Sequence, residues 1–161
     1  MNDLPQKWCL WYHSIKCDDW SNESYKPLLE VKNMFDLKLM MDQLQNENFH
    51  NSSLFLMKQG IFPTWEDKHN SQGSCISLKI QNKHNQSQWN LIVKLLILDN
   101  LFYNPEKNKW VNGISISPKK EFNILKIWFQ KDVRDLKFIN KYEPYLLNRN
   151  YIYKKNKPIS Q

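Results

Sequence analysis

Five stretches of this sequence carry bulky apolar side chains in short, strand-length runs, the first of them alternating, and that pattern narrows the folds open to it. "KWCLWYHS" (7–14), "SSLFLMKQG" (52–60), "SCISLKI" (74–80), "WVNGISIS" (110–117) and "FNILKIWFQ" (122–130) each read as a strand. The last two flank "PKKE" and make a strand pair with a basic turn. "LLEVK" (28–32) and "YIYKK" (151–155) read as shorter strands. Helical spacing appears in three other places. In "MFDLKLMMDQLQ", Met34, Leu37, Met41 and Leu44 form one stripe, Asn33 can cap the start, and Asp36 sits near the positive end. "SQWNLIVKLLILDNLF" (87–102) presents Trp89, Ile92, Val93, Leu96 and Ile97 on a broad apolar face. "VRDLKFINKYEPYLL" (133–147) is a third helix, kinked at Pro144. Strands interspersed with three helical segments give an α+β fold, one curved sheet with helices on one face. A closed α/β barrel is too large for 161 residues. That length fits a single domain, 1–161, with short mobile ends at about 1–4 and 156–161.

Composition removes several functions. The most apolar piece, "WNLIVKLLIL", is interrupted by Lys94 and falls short of the ~20 residues that span a bilayer, so no membrane association is expected. "MNDLPQKW" lacks the basic-then-apolar layout of a secretory signal. Cys9, Cys17 and Cys75 are an odd number with no CxxC spacing, which reads as a reducing, cytoplasmic setting. On a helix, Cys9, His13 and Cys17 would align, but their segment reads as a strand and supplies no fourth ligand. No metal site and no cofactor is expected. The net charge of +7 favours anionic partners without naming one.

Aromatic content is the less ordinary quantity, with seven tryptophans in the chain. Trp8, Trp11, Trp89 and Trp128 lie within apolar runs, where core packing explains them, and Trp110 is ambiguous. Trp20, in "CDDWSNES", and Trp65, in "PTWEDK", stand in loop-forming sequence instead. A pair of loop indoles is useful when a flat ligand slides between them, and each stacked face is worth ~1–3 kcal/mol. A cationic ring adds about 2 kcal/mol once desolvated. Glu66 beside Trp65 only accepts hydrogen bonds when ionised, and guanine offers two adjacent donors, N1–H and the N2 amine, where adenine does not. Methylation at N7 makes that base cationic. Lys119 and Lys120 in "SPKKEF" suit the phosphates attached to it. Two tryptophans packed on the rim of a core account for the same residues equally well.

The order "WCLWYH … DDW … LFLMKQGIFPTWEDKHNSQG … VNGISIS … PKK … KIW" resembles the eukaryotic translation initiation factor 4E family of mRNA cap-binding proteins, from about Pro5 to Tyr153. The block "LFLMKQGIFPTWEDKHNSQG" carries most of the likeness. The resemblance implies a curved antiparallel sheet backed on its convex face by three helices, with the cap held in the concave face by a protein that is not an enzyme. It makes Trp20 and Trp65 the stacking pair and Glu66 the reader of the guanine edge, helped by its own backbone N–H. Trp128 falls near the methyl group and Lys119 at a phosphate-binding position, with Lys120 one place from another. Capped mRNA is the implied ligand, in translation initiation or its regulation.

The departures from the family pattern are as informative. Two further phosphate-binding positions fall on Cys75 and Ile124, leaving the phosphates to Lys119 and Lys120, helped by Lys154 or Lys155. On the opposite, dorsal face, family members bind an amphipathic helix with a Tyr-x4-Leu motif from the scaffold factor 4G or from repressors. There the family's tryptophan falls on Lys38 and two aliphatic positions on Asn90 and Lys94, while Met34 stays apolar. An unpaired buried lysine is costly, so the usual helix is expected to bind weakly or not at all. These changes tilt towards a divergent, short member, viral or parasitic. Two competing functions remain. A decapping enzyme needs carboxylates clustered around Mg²⁺, whereas the acidic residues here are scattered. A generic single-stranded RNA binder would be indifferent to methylation.

Overall fold

The computed structural model describes residues 3–134 and 151–156. Seven strands form one curved, wholly antiparallel sheet in the order β2-β1-β3-β5-β6-β4-β7. They are β1 (Asp3–Ser14), β2 (Lys26–Asn33), β3 (Ser52–Lys58), β4 (Ser74–Gln81), β5 (Val111–Pro118), β6 (Phe122–Phe129) and β7 (Ile152–Lys155). Every stretch expected to be a strand is one. β1 starts earlier than residue 7, because Leu4 is buried and Asp3 pairs opposite Asn33. At the other end Asn156 is also held, its N–H donating to the Gly73 carbonyl at 3.0 Å. Asp3, Leu4 and Asn156, which fall within the ends expected to be mobile, are thus paired or buried.

Strand alternation gives the sheet two different faces. Leu10, Leu54, Leu56, Ile76, Leu78, Ile114, Ile116, Leu125 and Ile127 point to one side, into the main core. Helices α1 (Met34–Gln43), α2 (Asn46–Asn51) and α3 (Asn85–Ile97) close over that side with Leu37, Met40, Phe49, Trp89, Ile92, Val93 and Leu96. Phe55, Met57 and Trp128, on the other side, join Ile61 in a second cluster with Trp11 and Tyr25 against it. No helix among the described residues is long and apolar enough to cross a membrane.

Local chemistry sets the helix ends. The Asn33 side chain accepts the Asp36 N–H at 2.9 Å, and the Asp36 carboxylate accepts the Lys32 N–H at 3.0 Å, so α1 starts where its cap predicts. α3 stops at Ile97 and does not continue to Phe102. Asp99 adopts a left-handed φ of 53°, and Asn100 N–H bonds back to the Leu95 carbonyl at 2.8 Å, which ends the helix. The Asn108 side chain then takes the Leu101 and Phe102 N–H groups, both at 3.1 Å, and donates to the Asp99 carbonyl at 2.9 Å. Asn108 belongs to α4 (Pro105–Lys109), which begins at the Asn104 cap with proline in its first turn. The short helices α2 and α4 were not expected. The third expected helix lies, from residue 135 on, outside the described residues.

Gly73 sits where β4 leaves its preceding loop, pressed against β6. A Cβ there would lie 1.8 Å from the Phe129 carbonyl oxygen, a backbone atom that cannot step aside. Gly73→Ala should lower stability by at least ~2 kcal/mol, seen as a fall of roughly 5 °C or more in melting temperature. An unchanged melting curve would mean that β4 and β6 do not approach this closely.

Candidate functional site

The loop between β3 and β4 begins with a tight turn in which Ile61 N–H bonds the Lys58 carbonyl at 3.1 Å and Gly60 supplies a φ of 92°. Beyond it, two side chains organise the backbone around Trp65. The Asp67 carboxylate accepts the N–H groups of Phe62 (3.0 Å) and His69 (2.8 Å), and the His69 ring at 2.8 Å. Burial pushes the Asp67 carboxyl up, but these partners outweigh it and leave the pKa below the usual carboxylate value. Its stabilising effect is thus present above the ordinary aspartate pKa of ~3.9 and is lost as pH falls through the lower folded value.

Asn70 does more. It is fully buried, and its amide donates to the carbonyls of Thr64 (2.8 Å) and Phe62 (3.3 Å). Its side-chain oxygen accepts from Asn112 on β5 at 2.9 Å, and its main-chain carbonyl accepts from the Asn156 side chain at 2.9 Å. Three asparagines from distant parts of the chain therefore fix a loop that has no regular structure of its own. Trp65 and Glu66 ride on its outer side, Trp65 being 42% exposed.

Trp20 stands on the loop after β1 and is 56% exposed. One of its faces is stacked on the His13 ring, with centroids 3.7 Å apart and planes within 4°. The two exposed indoles line one cavity of about 540 Å³. Tyr25, Phe55 and Trp128 contribute to its lining, with Ser115 and Ser117 from β5. The Trp128 indole N–H donates to Ser115 Oγ at 3.0 Å, tying that ring to β5. Glu66 is at the lip. Neither its carboxylate nor its backbone N–H has a hydrogen-bond partner among the described residues. Burial, and then the Glu66 charge, raise the pKa of the Tyr25 hydroxyl.

Of the lysines expected here, Lys119 lines the cavity and Lys120 does not. Lys119 N–H bonds the Phe122 carbonyl at 2.7 Å to close the β5–β6 turn. A cation not singled out in the sequence lines the cavity as well. Lys126 is two residues before Trp128 on β6 and so shares its face, a relation that period two makes readable once Trp128 is placed. Lys126 also lines an adjoining cavity of about 380 Å³ with Trp65, Trp128, Cys75, Lys154 and Asn156. Burial raises the Cys75 thiol pKa, and the charges of Lys126 and Lys154 pull it back only in part. Lys119, Lys126 and Lys154 have no ion-pair partner among the described residues. Cys9 and His13 are strand residues, and no group of His, Cys, Asp or Glu suited to a metal occurs among the described residues.

On the helix side, Met34 and Lys38 of α1 meet Asn90 and Lys94 of α3 in a groove of about 640 Å³, lined also by Leu37, Met41 and Leu98. Lys38 bonds Asp42 one turn along its own helix at 2.6 Å. The four residues expected to share this surface do so.

The family model described as Eukaryotic initiation factor 4E matches residues 3–157. The eukaryotic translation initiation factor 4E homolog of Acanthamoeba polyphaga mimivirus is 22% identical over 135 residues, covering 71% of this chain and 50% of the relative. Eukaryotic translation initiation factor 4E of Candida albicans is 28% identical over 136 residues, covering 78% and 63%. The chain thus spans between half and two thirds of the length of these relatives. Among solved structures, Ascaris suum eIF4E-3 with m7G cap superposes with a TM-score of 0.72 at 18% identity, over 83% of this chain and 76% of that one. Schistosome eIF4E complexed with m7GpppG and 4E-BP gives 0.72 at 19% identity, over 81% and 73%. At such identities the likeness is one of fold.

Asn70→Ala removes two donors from buried carbonyls and the acceptor for Asn112, a change worth ~1–3 kcal/mol. Amide hydrogen exchange at Asp67 and Ser71 should accelerate while β5 and β6 stay protected. Equal protection in the variant would show that the loop does not depend on this side chain.

Proposed function

Because the chain belongs to the eukaryotic initiation factor 4E family, we propose that it binds the 7-methylguanosine cap of messenger RNA in the cavity bounded by Trp20 and Trp65. The base stacks between the two indoles, Glu66 accepts from N1–H and the N2 amine, and the Glu66 N–H donates to the base carbonyl. Trp128 lies beneath, towards the methyl group. Lys119, Lys126 and Lys154 take the phosphates, the last two standing in for the positions occupied by Cys75 and Ile124. The ligand's delocalised positive charge matches two electron-rich ring faces, and its donor pair matches a carboxylate that accepts from nothing else among the described residues.

What supports this reading most is convergence. Trp20, Trp65, Glu66, Lys119 and Trp128 come from four separate parts of the chain, and all five line one cavity. A relative and solved neighbours named for initiation factor 4E, some in complex with cap, point the same way. The role proposed is that of a cap receptor in translation or its control, acting by binding and not by chemistry on the cap.

Fluorescence titration with 7-methyl-GTP against unmethylated GTP tests this directly. The methylated ligand should bind at least about tenfold more tightly, the share expected of the cation–π contribution. Trp20→Ala and Trp65→Ala should each weaken it by ~2 kcal/mol, some thirtyfold. Glu66→Ala should erode preference for guanine over adenine. Equal affinity for both ligands, or indifference to both tryptophan changes, overturns the reading.

The dorsal groove is proposed as a weak site for a Tyr-x4-Leu helix. Lys38 is already paired with Asp42 and presents a hydrated charge where an apolar anchor is needed. Lys38→Trp should therefore raise affinity for such a peptide by about 2 kcal/mol, measured calorimetrically. A tight complex with the unaltered chain would contradict it.

A further inference from the structure

An exposed tryptophan on a loop ordinarily samples several rotamers, and a ligand that needs one of them must order it on binding. Trp20 is not in that position. The imidazole of His13 lies under it, parallel and in contact, at 3.7 Å and 4°. His13 is fully buried, and its strand is paired on both sides, with Tyr12 opposite Lys26 and His13 itself opposite Ser53. The stack therefore rests on a buried strand residue that is paired to β3.

The same imidazole also holds the loop. His13 Nε2 is 2.7 Å from the Asp19 carbonyl oxygen, and since a carbonyl only accepts, that nitrogen carries a proton. The Cys17 thiol reaches the same oxygen at 3.4 Å. On the far side of Trp20, the Asp19 carboxylate accepts the Ser21 N–H at 2.8 Å and the Ser21 hydroxyl at 2.9 Å. The residues before and after Trp20 are thus both fixed, and Tyr25 closes the edge, tilted against the two rings at 5.2 and 6.1 Å. Trp65 has no comparable ring beneath it among the described residues.

We propose that His13 is the positioning residue of the site, presetting Trp20 as the fixed wall of the slot by stacking on one face and anchoring the Asp19 carbonyl, while Trp65 is the wall that adjusts to the ligand. This rests on the cap-binding reading for its consequence in affinity, but not for its consequence in the free protein. The ligand meets an indole already held in its bound orientation, with the open face turned into the cavity. Without the imidazole, two faces of Trp20 are open and its loop loses a donor. The ordering of one large side chain then falls to the ligand, which reduces affinity about three- to tenfold.

Two measurements decide it. Nitrogen-15 labelled indole resonances of the free protein, with Trp20 assigned by its loss in Trp20→Phe, report the wall itself. Titration with 7-methyl-GTP reports its effect. His13→Ala should shift and broaden the Trp20 signal and weaken binding three- to tenfold, whereas His13→Phe, which restores a flat ring, should recover a sharp signal and most of the affinity. In a Trp20→Ala background, His13→Ala should change affinity less than twofold. If His13→Ala does not fold, His13→Gln replaces it, since it keeps a donor but no ring. The proposal is overturned if the Trp20 signal does not move, if His13→Phe is as weak as the ring-less variant, or if the loss is the same without Trp20. Should Trp20→Ala bind as tightly as the unaltered chain, the cap-binding reading fails, and the indole signal still decides whether His13 sets the ring.

Discussion

The alternation of side chains along β1, β3, β4, β5 and β6 assigns every second residue to one of two faces, and the two faces are built from different chemistry. Branched aliphatics fill the helix side, where Leu54, Leu56, Ile114, Ile116, Leu125 and Ile127 are almost wholly buried. The open side takes Trp11, His13, Ser53, Phe55, Cys75, Ser115, Lys126 and Trp128. A one-residue slip in register would send lysine and serine into the core and aliphatics into the cavity. The pairing that stabilises the fold is thereby the same pairing that gathers the site, and neither can drift without the other.

The walls of the slot obey a different rule. Trp20 and Trp65 come from segments without regular structure, and each is held by hydrogen bonds from side chains to main-chain carbonyls: His13 to Asp19, and Asn70 to Phe62 and Thr64. Such loops are precise only where buried polar groups over-determine them. Here the supports come from β1, β5 and the segment after β7, so that parts of the chain far apart in sequence agree on where the two loops run.

Much of this was legible in the sequence, and the exceptions have physical causes. The strands were readable because a half-buried sheet must alternate, and Trp20 and Trp65 stood out because polar neighbours contradict burial. The helix through Trp89 was overextended, since Leu101 and Phe102 continue its apolar character and only the left-handed Asp99 ends it. α4 carried a readable signal, Asn104 followed by Pro105, whereas the polar α2 is started by a local Gln45–Asn48 bond that no hydrophobic period announces. Lys126 was within reach of the period-two rule. His13 was not, because its contact with Trp20 is tertiary and a strand histidine normally reads as core. Lys120 is next to Lys119 in sequence but does not line the cavity with it.

The brace formed by Asn70, Asn112 and Asn156 is made of amides, with no formal charge on any member. Mobile ions screen lysines at a cavity rim but have little purchase on buried dipoles. On the cap-binding reading, ionic strength therefore acts on the two halves of the site unequally: it tunes attraction for an anionic tail while the amide brace of the Trp65 loop stays as it was.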